Sequence, residues 1–194
     1  MKTLVKSSRG IDQISLETQF FSEHRTVFIE GEIDSASALE FTKQILYLNQ
    51  IGQAPIQIYI NSAGGEVNAG LLMVDVVTGS KAPIKMYCIG RAYSMAALLF
   101  ATGKERYMLP NSELMLHQPL LRGQVNGDAV SIQSVSESLT ATRDKFLRLL
   151  AQFMGKSAAE LEEATRFDHY FSPDDAVAFN LADKVITFTE LLER

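Results

Sequence analysis

Ile84-Lys85-Met86-Tyr87-Cys88-Ile89-Gly90-Arg91-Ala92-Tyr93-Ser94-Met95-Ala96-Ala97-Leu98-Leu99-Phe100-Ala101 reads as two elements that meet at one serine. Residues 84–89 have the apolar, aromatic character of a strand, and the unbroken apolar run 95–101, closed by Gly103, reads as a helix. The same alternation recurs on both sides. Upstream, residues 26–29 (TVFI) form a short β-branched and aromatic run closed by Gly31. Asp34 or Ser35 can then cap a helix whose apolar positions Ala38, Leu39, Phe41, Ile45, Leu46 and Leu48 share one face. Residues 56–60 (IQIYI) are a second strand ended by Asn61-Ser62-Ala63-Gly64-Gly65, and 67–77 a helix with Gly79 just beyond it.

Downstream, residues 106–109 and 113–116 predict short strands around the Pro110-Asn111 turn. A long helix is expected from about Asp128 to Phe153, stopped by Gly155. Ser172-Pro173-Asp174-Asp175 is a capping-box-like helix start, and Asn180 suits a left-handed helix end. Residues 181–188 read as an apolar, strand-like return. Strands alternating with helices imply an α/β fold with a largely parallel sheet. No repeat or linker divides the 194 residues, so one domain (1–194) is expected, with the polar, turn-rich first 17 residues either a mobile end or part of a partner interface.

Composition narrows the function classes. A net charge of −5 with dispersed Lys and Arg argues against nucleic acid or a basic membrane face. Cys88 is the sole cysteine, which rules out an intrachain disulfide and a cysteine zinc site. No HExxH helix, GxGxxG fingerprint or GxxxxGK[ST] loop is present. The basic N-terminus lacks an apolar signal region, so a cytoplasmic protein is the default.

What remains is the chemistry of acyl transfer. Ser94 sits at a helix N-terminus, where orphan N–H groups and the macrodipole favour developing negative charge, although serine is also a common structural cap. Gly64-Gly65 after a strand either permits a tight turn or lets the backbone present an N–H to a carbonyl oxygen. Of three histidines, His24 lies in a polar stretch and His169 follows Asp168, while His117 ends a strand before Gln118-Pro119. Strand ends are where α/β folds build sites. A third group must orient the imidazole; Asp168 is favoured, with Asp34, Asp75 and Asp183 competing.

Four segments in order, NSAGG, GRAYSMAALLFATG, RYMLPNSELMLHQP and FDHYFSPDDAVAFNLADKV, together resemble the proteolytic subunit of the Clp protease, from about Arg25 to Ile186. The resemblance implies a crotonase-like fold of repeated ββα units with a protruding strand-helix handle at about 120–153. It implies that Ser94 is the nucleophile, His117 the general base and Asp168 the orienting acid. The oxyanion hole would be the backbone N–H groups of Gly65 and Met95. The implied function is a serine endopeptidase that cleaves unfolded polypeptides to short peptides inside two stacked seven-membered rings. Its partner would be an ATP-driven unfoldase of the AAA+ class, which spends the ATP; no metal or organic cofactor is implied. The first twenty residues, which match poorly, correspond to the axial gate.

This chain departs from the family's pattern at three places. Ala63 stands where proline is usual, Tyr93 where a small residue precedes the nucleophile, and Phe167 where an arginine pairs across the ring–ring interface. These departures motivate a second reading, a latent ring subunit completed by an active paralogue. A third, an acyl-CoA hydratase-like enzyme, predicts no dependence on Ser94.

Overall fold

Strand β5 (Ile84–Tyr93) forks the sheet that carries the site, in a computed structural model that describes residues 1–7, 10–121 and 126–193. On one side β5 pairs in parallel with β4 (Ile56–Gly65), which pairs in parallel with β3 (Thr26–Ile33). On its other side the strand has two partners. Residues Lys85 to Cys88 pair with β6 (Glu105–Met108), and Arg91 to Tyr93 pair with β7 (Glu113–Leu116). β6 continues to β9 (Lys184–Val185), while β7 takes the antiparallel β8 (His169–Phe171). The expected α/β class with a mostly parallel sheet is therefore the observed one.

Helices connect these strands as the sequence periodicity predicts. α2 (Ser35–Ile51) opens on an Asp34 capping box with Ser37, and α3 (Val67–Thr78) ends at Gly79. α5 (Ala129–Met154) runs from its Asp128 cap to a left-handed Gly155. α4 (Met95–Ala101) is different in kind: all seven residues are buried, against β4, β5 and α3. A helix that is apolar all round belongs in a core. It fixes the residue that precedes it.

Several expectations need correction. The N-terminal segment is not simply turn-rich: β1 (Lys2–Ser7) and β2 (Gly10–Ser15) pair antiparallel, followed by α1 (Leu16–His24) capped by Ser15. The apolar return at 181–188 contributes only the two-residue β9, then α8 (Phe188–Leu192) with a Thr187–Glu190 capping box. Strands β4 and β5 run on through Asn61–Gly65 and Arg91–Tyr93, because polar and glycine residues still complete ladder bonds there. α6 (Ala158–Ala164) carries Glu160, Glu162 and Glu163, and α7 (Pro173–Ala178) starts at the Ser172 cap. Asn180 is left-handed at φ 62°. The handle strand expected within 120–128 lies partly outside the described residues.

One row of side chains crosses the sheet. Phe28, Tyr59, Tyr87 and Tyr107 are register partners on β3 to β6, stacked with centroids 5.4, 4.9 and 5.2 Å apart. Aromatic cross-strand pairs of this kind stabilise a sheet by about 0.2–1 kcal/mol each. At its far edge the sheet is held by charge. Arg106, 6% exposed, donates to Asp183 Oδ1 at 2.5 Å and to the Asn180 carbonyl at 3.0 Å; its backbone N–H reaches Asp183 Oδ2 at 2.7 Å. Removing one partner of a buried pair strands the other charge, at about 3–5 kcal/mol. Asp183→Ala is expected at the low end, about 3 kcal/mol, because Asp183 itself is 39% exposed. Urea denaturation at fixed protein concentration measures this, and an unchanged midpoint contradicts it.

Candidate active site

Ser94 ends β5 and begins α4 in a backbone conformation that few L-residues adopt, φ 55° and ψ −120°. Such a conformation costs of order 1–3 kcal/mol and persists only where its surroundings enforce it. Here its N–H donates to the Met115 carbonyl at 2.8 Å, and its carbonyl accepts from Ala97 and Leu98 at 3.0 and 3.1 Å. The strand ladder holds one side of the residue and the buried helix holds the other. Its side chain makes no capping bond. The structural role that serine commonly has at a helix start is therefore absent.

The hydroxyl instead points to His117, whose Nε2 lies 2.8 Å from Ser94 Oγ. His117 follows β7, the partner of the β5 segment that ends at Tyr93, so the parallel ladder itself delivers base to hydroxyl. His117 is 15% exposed; its Nδ1 is buried and 3.3 Å from Asp168 Oδ1, short of a formed hydrogen bond. Asp168, 58% exposed, stands just before β8. Between them, Gln118 N–H donates to the carbonyl of the buried Thr165 at 3.0 Å, which fixes the loop leading to the acid.

The competing residues are engaged elsewhere. Asp34 caps α2, and hydrogen bonds from Ser37 hold its carboxyl below the usual range. Asp183 pairs with Arg106, and Asp75 is exposed on α3. His24 packs on Phe20 at the end of α1, and His169 stacks on Phe171 at 4.2 Å. Cys88 is buried, which pushes its thiol up to about 11 and leaves it inert at neutral pH. No cluster of three metal-ligating side chains occurs among the described residues.

Gly64 and Gly65 bring the end of β4 against the nucleophile. A Cβ on Gly64 would stand 3.0 Å from Ser94 Cβ and 3.1 Å from Met95 N, so the two backbones are in direct contact. Met95 opens α4, and its N–H has no carbonyl one turn earlier to bond. Together Ala63, Gly65, Val67, Tyr93, Met115 and Leu120, with Phe146, line a cleft of about 260 Å³ beside Ser94 and His117. Every one of those side chains is uncharged.

A family model described as Clp protease matches residues 9–189. The chain belongs to the Clp protease family. The match spans both strand–helix junctions of the site and runs from the N-terminal hairpin to α8, and it identifies the chain as a proteolytic subunit of that family. That membership supports a Clp-type peptidase. Sequence reasoning missed Tyr170, whose ring meets that of the cleft residue Tyr93 edge to face at 5.7 Å. Its signal was available only as a register, since strand β8 is three residues long and follows no hydrophobic period.

Proposed function

We propose that this Clp-family chain is a serine endopeptidase in which Ser94 is the nucleophile, His117 the general base and Asp168 the acid that orients it. The carrying observation is the strained Ser94, uncommitted as a cap and 2.8 Å from His117 Nε2. In this reading Nε2 takes the hydroxyl proton as Oγ attacks a peptide carbonyl. The N–H groups of Gly65 and Met95 hold the tetrahedral oxyanion, each donor being worth about 2.7–4 kcal/mol of barrier. The imidazolium returns its proton to the departing amine, the acyl-enzyme remains on Ser94, and water drawn by His117 hydrolyses it. None of these steps needs a metal or organic cofactor.

The finer family properties belong to the same proposal: a single crotonase-like domain, two stacked heptameric rings, an AAA+ Clp ATPase that feeds unfolded chains, and a cytoplasmic setting. Among the described residues no helix is long and apolar enough to cross a membrane. The apolar cleft supports substrates with an uncharged, apolar side chain before the scissile bond. Charged residues there would be desolvated without a partner. Peptides with Leu or Met at that position are expected to be cleaved at least about 10-fold faster than those with Asp or Lys.

Intact mass after fluorophosphonate treatment tests the proposal. One adduct per chain, mapped to Ser94, supports it; assembled particles that form no adduct overturn it. That second outcome favours a ring subunit completed by an active paralogue, the reading to which the unformed His117–Asp168 hydrogen bond points.

A further inference from the structure

The residues of the candidate triad hang from a single row of side chains. Tyr93, Met115 and Tyr170 are successive register partners on β5, β7 and β8. Tyr93 immediately precedes Ser94, Met115 is two residues before His117, and Tyr170 is two residues after Asp168. Ser94 and His117 are each locked by other means: Ser94 by its ladder bond and α4, His117 by the β7 ladder and the Gln118–Thr165 bond. Asp168 is not. It is exposed and outside any regular element, between the loop tied at Thr165 and the start of β8.

One face of β8 is secured by Phe171, which is buried and packs on Phe179 with centroids 5.1 Å apart. The opposite face is secured by Tyr170, whose ring meets Tyr93 edge to face at 5.7 Å and 90°. Tyr93 is itself caged. Its hydroxyl donates to Glu113 Oε1, and the Arg91 guanidinium lies 5.7 Å from its ring centroid. Arg91 and Glu113 are also register partners, so this cage is built on the ladder and moves with it. A ring anchored at its tip and covered on one side cannot swing away from Tyr170. Asp168 immediately precedes β8, two residues before Tyr170, so the seating of that strand's first residues sets where its carboxylate can reach.

We propose that Tyr93 is a positioning residue, whose anchored ring docks Tyr170 and thereby sets the approach of Asp168 to His117 Nδ1. This rests on the serine-peptidase reading above and adds to it a device for holding the one member of the triad that the fold leaves loose. Misplacing a catalytic group by about 1 Å can cost 10²-fold, and edge-to-face pairs favour a defined geometry. The hydroxyl anchor survives across the working range. The hydrogen bond to Glu113, with burial adding to it, pushes the Tyr93 phenol up to about 12. The neutral donor is thus favoured by folding below the ordinary phenol value near 10, and that preference fades only as pH rises through 12.

The test is the rate of fluorophosphonate acylation and the kcat and KM for a peptide substrate, on the full-length assembled protein. Tyr93→Ala and Tyr170→Ala are each expected to lower kcat and acylation by about 10- to 10²-fold, with KM nearly unchanged in Tyr170→Ala, whose ring lies outside the cleft that Tyr93 helps to line. Their double variant should fall no further than the worse single one. Tyr93→Phe keeps the ring and loses only the anchor, so it should recover to within about 10-fold of wild type. In an Asp168→Asn background, Tyr93→Ala should have no further effect on kcat or acylation, because the carboxylate it positions is already gone. A Tyr93→Ala enzyme that acylates at the wild-type rate overturns the proposal, as does a loss that persists undiminished in Asp168→Asn. A Tyr93→Ala enzyme in which KM alone changes, varying with the substrate side chain, leaves Tyr93 only its place in the cleft wall and overturns it as well. The surface location of Tyr170 keeps the test open if Tyr93→Ala fails to assemble. Wild-type protein that forms no adduct instead defeats the serine-peptidase reading itself, a result distinguishable from all of these.

Discussion

Ser94→Ala and His117→Ala are each expected to lower kcat by about 10⁴- to 10⁶-fold, and the double variant to lose no more than the worse of the two. The non-additivity follows from the geometry. A hydroxyl without the Nε2 that lies 2.8 Å from it and an imidazole without that hydroxyl are each chemically idle, so removing either removes the same step. KM should change little, since neither side chain builds the apolar wall of the cleft. Stability should hold or rise in Ser94→Ala. Its Oγ makes no cap, and so no helix-start hydrogen bond is lost. Steady-state peptide hydrolysis and adduct mass read the first claim, and a thermal melt of the same samples reads the second. Single-variant losses that multiply in the double variant would mean that the two residues serve different steps, and the proposed triad would fail.

Much of this site was legible before any coordinates, because its parts lie at boundaries that sequence pattern marks well. The change from a strand-like to a helix-like run isolates Ser94, and the Gln118-Pro119 pair ends a strand at His117. The acid was harder. Asp34, Asp75, Asp168 and Asp183 have similar local surroundings, and only the fold shows that three of them are spent on a cap, a helix surface and a guanidinium. What decides the matter is pairing across strands, and pairing is not a local property. The fork at β5 illustrates this: nothing in residues 84–93 says that Cys88 and Ala92 will face different partner strands. The N-terminal hairpin was missed for a related reason. Lys, Thr, Ser and Gln in residues 2–15 give no apolar alternation, and β1 and β2 pair only with each other. Among the described side chains of these two strands none is buried, so nothing there enforces a period for the sequence to show.

Gly64→Ala is also expected to disable the enzyme, and it separates backbone strain from backbone contact. Gly64 has φ +85°, where an L side chain costs about 1–2 kcal/mol. Its Cβ would also stand 2.5 Å from the Tyr93 carbonyl oxygen, closer than real Cβ atoms come. That carbonyl belongs to the turn that fixes Ser94, so relief requires either the nucleophile or the end of β4 to retreat. Either movement takes the proposed donors at Gly65 and Met95 off the oxyanion, and one lost donor costs about 10²- to 10³-fold in kcat. Gly31→Ala is the control. Its φ of +72° imposes the same kind of strain, but a Cβ there meets nothing within 4 Å. Both variants should therefore lose stability in a denaturant titration, whereas only Gly64→Ala should lose acylation by a fluorophosphonate. Equal acylation in the two would show that the approach of β4 to Ser94 carries no catalytic role, and the oxyanion donors would have to be sought on the other side of the cleft.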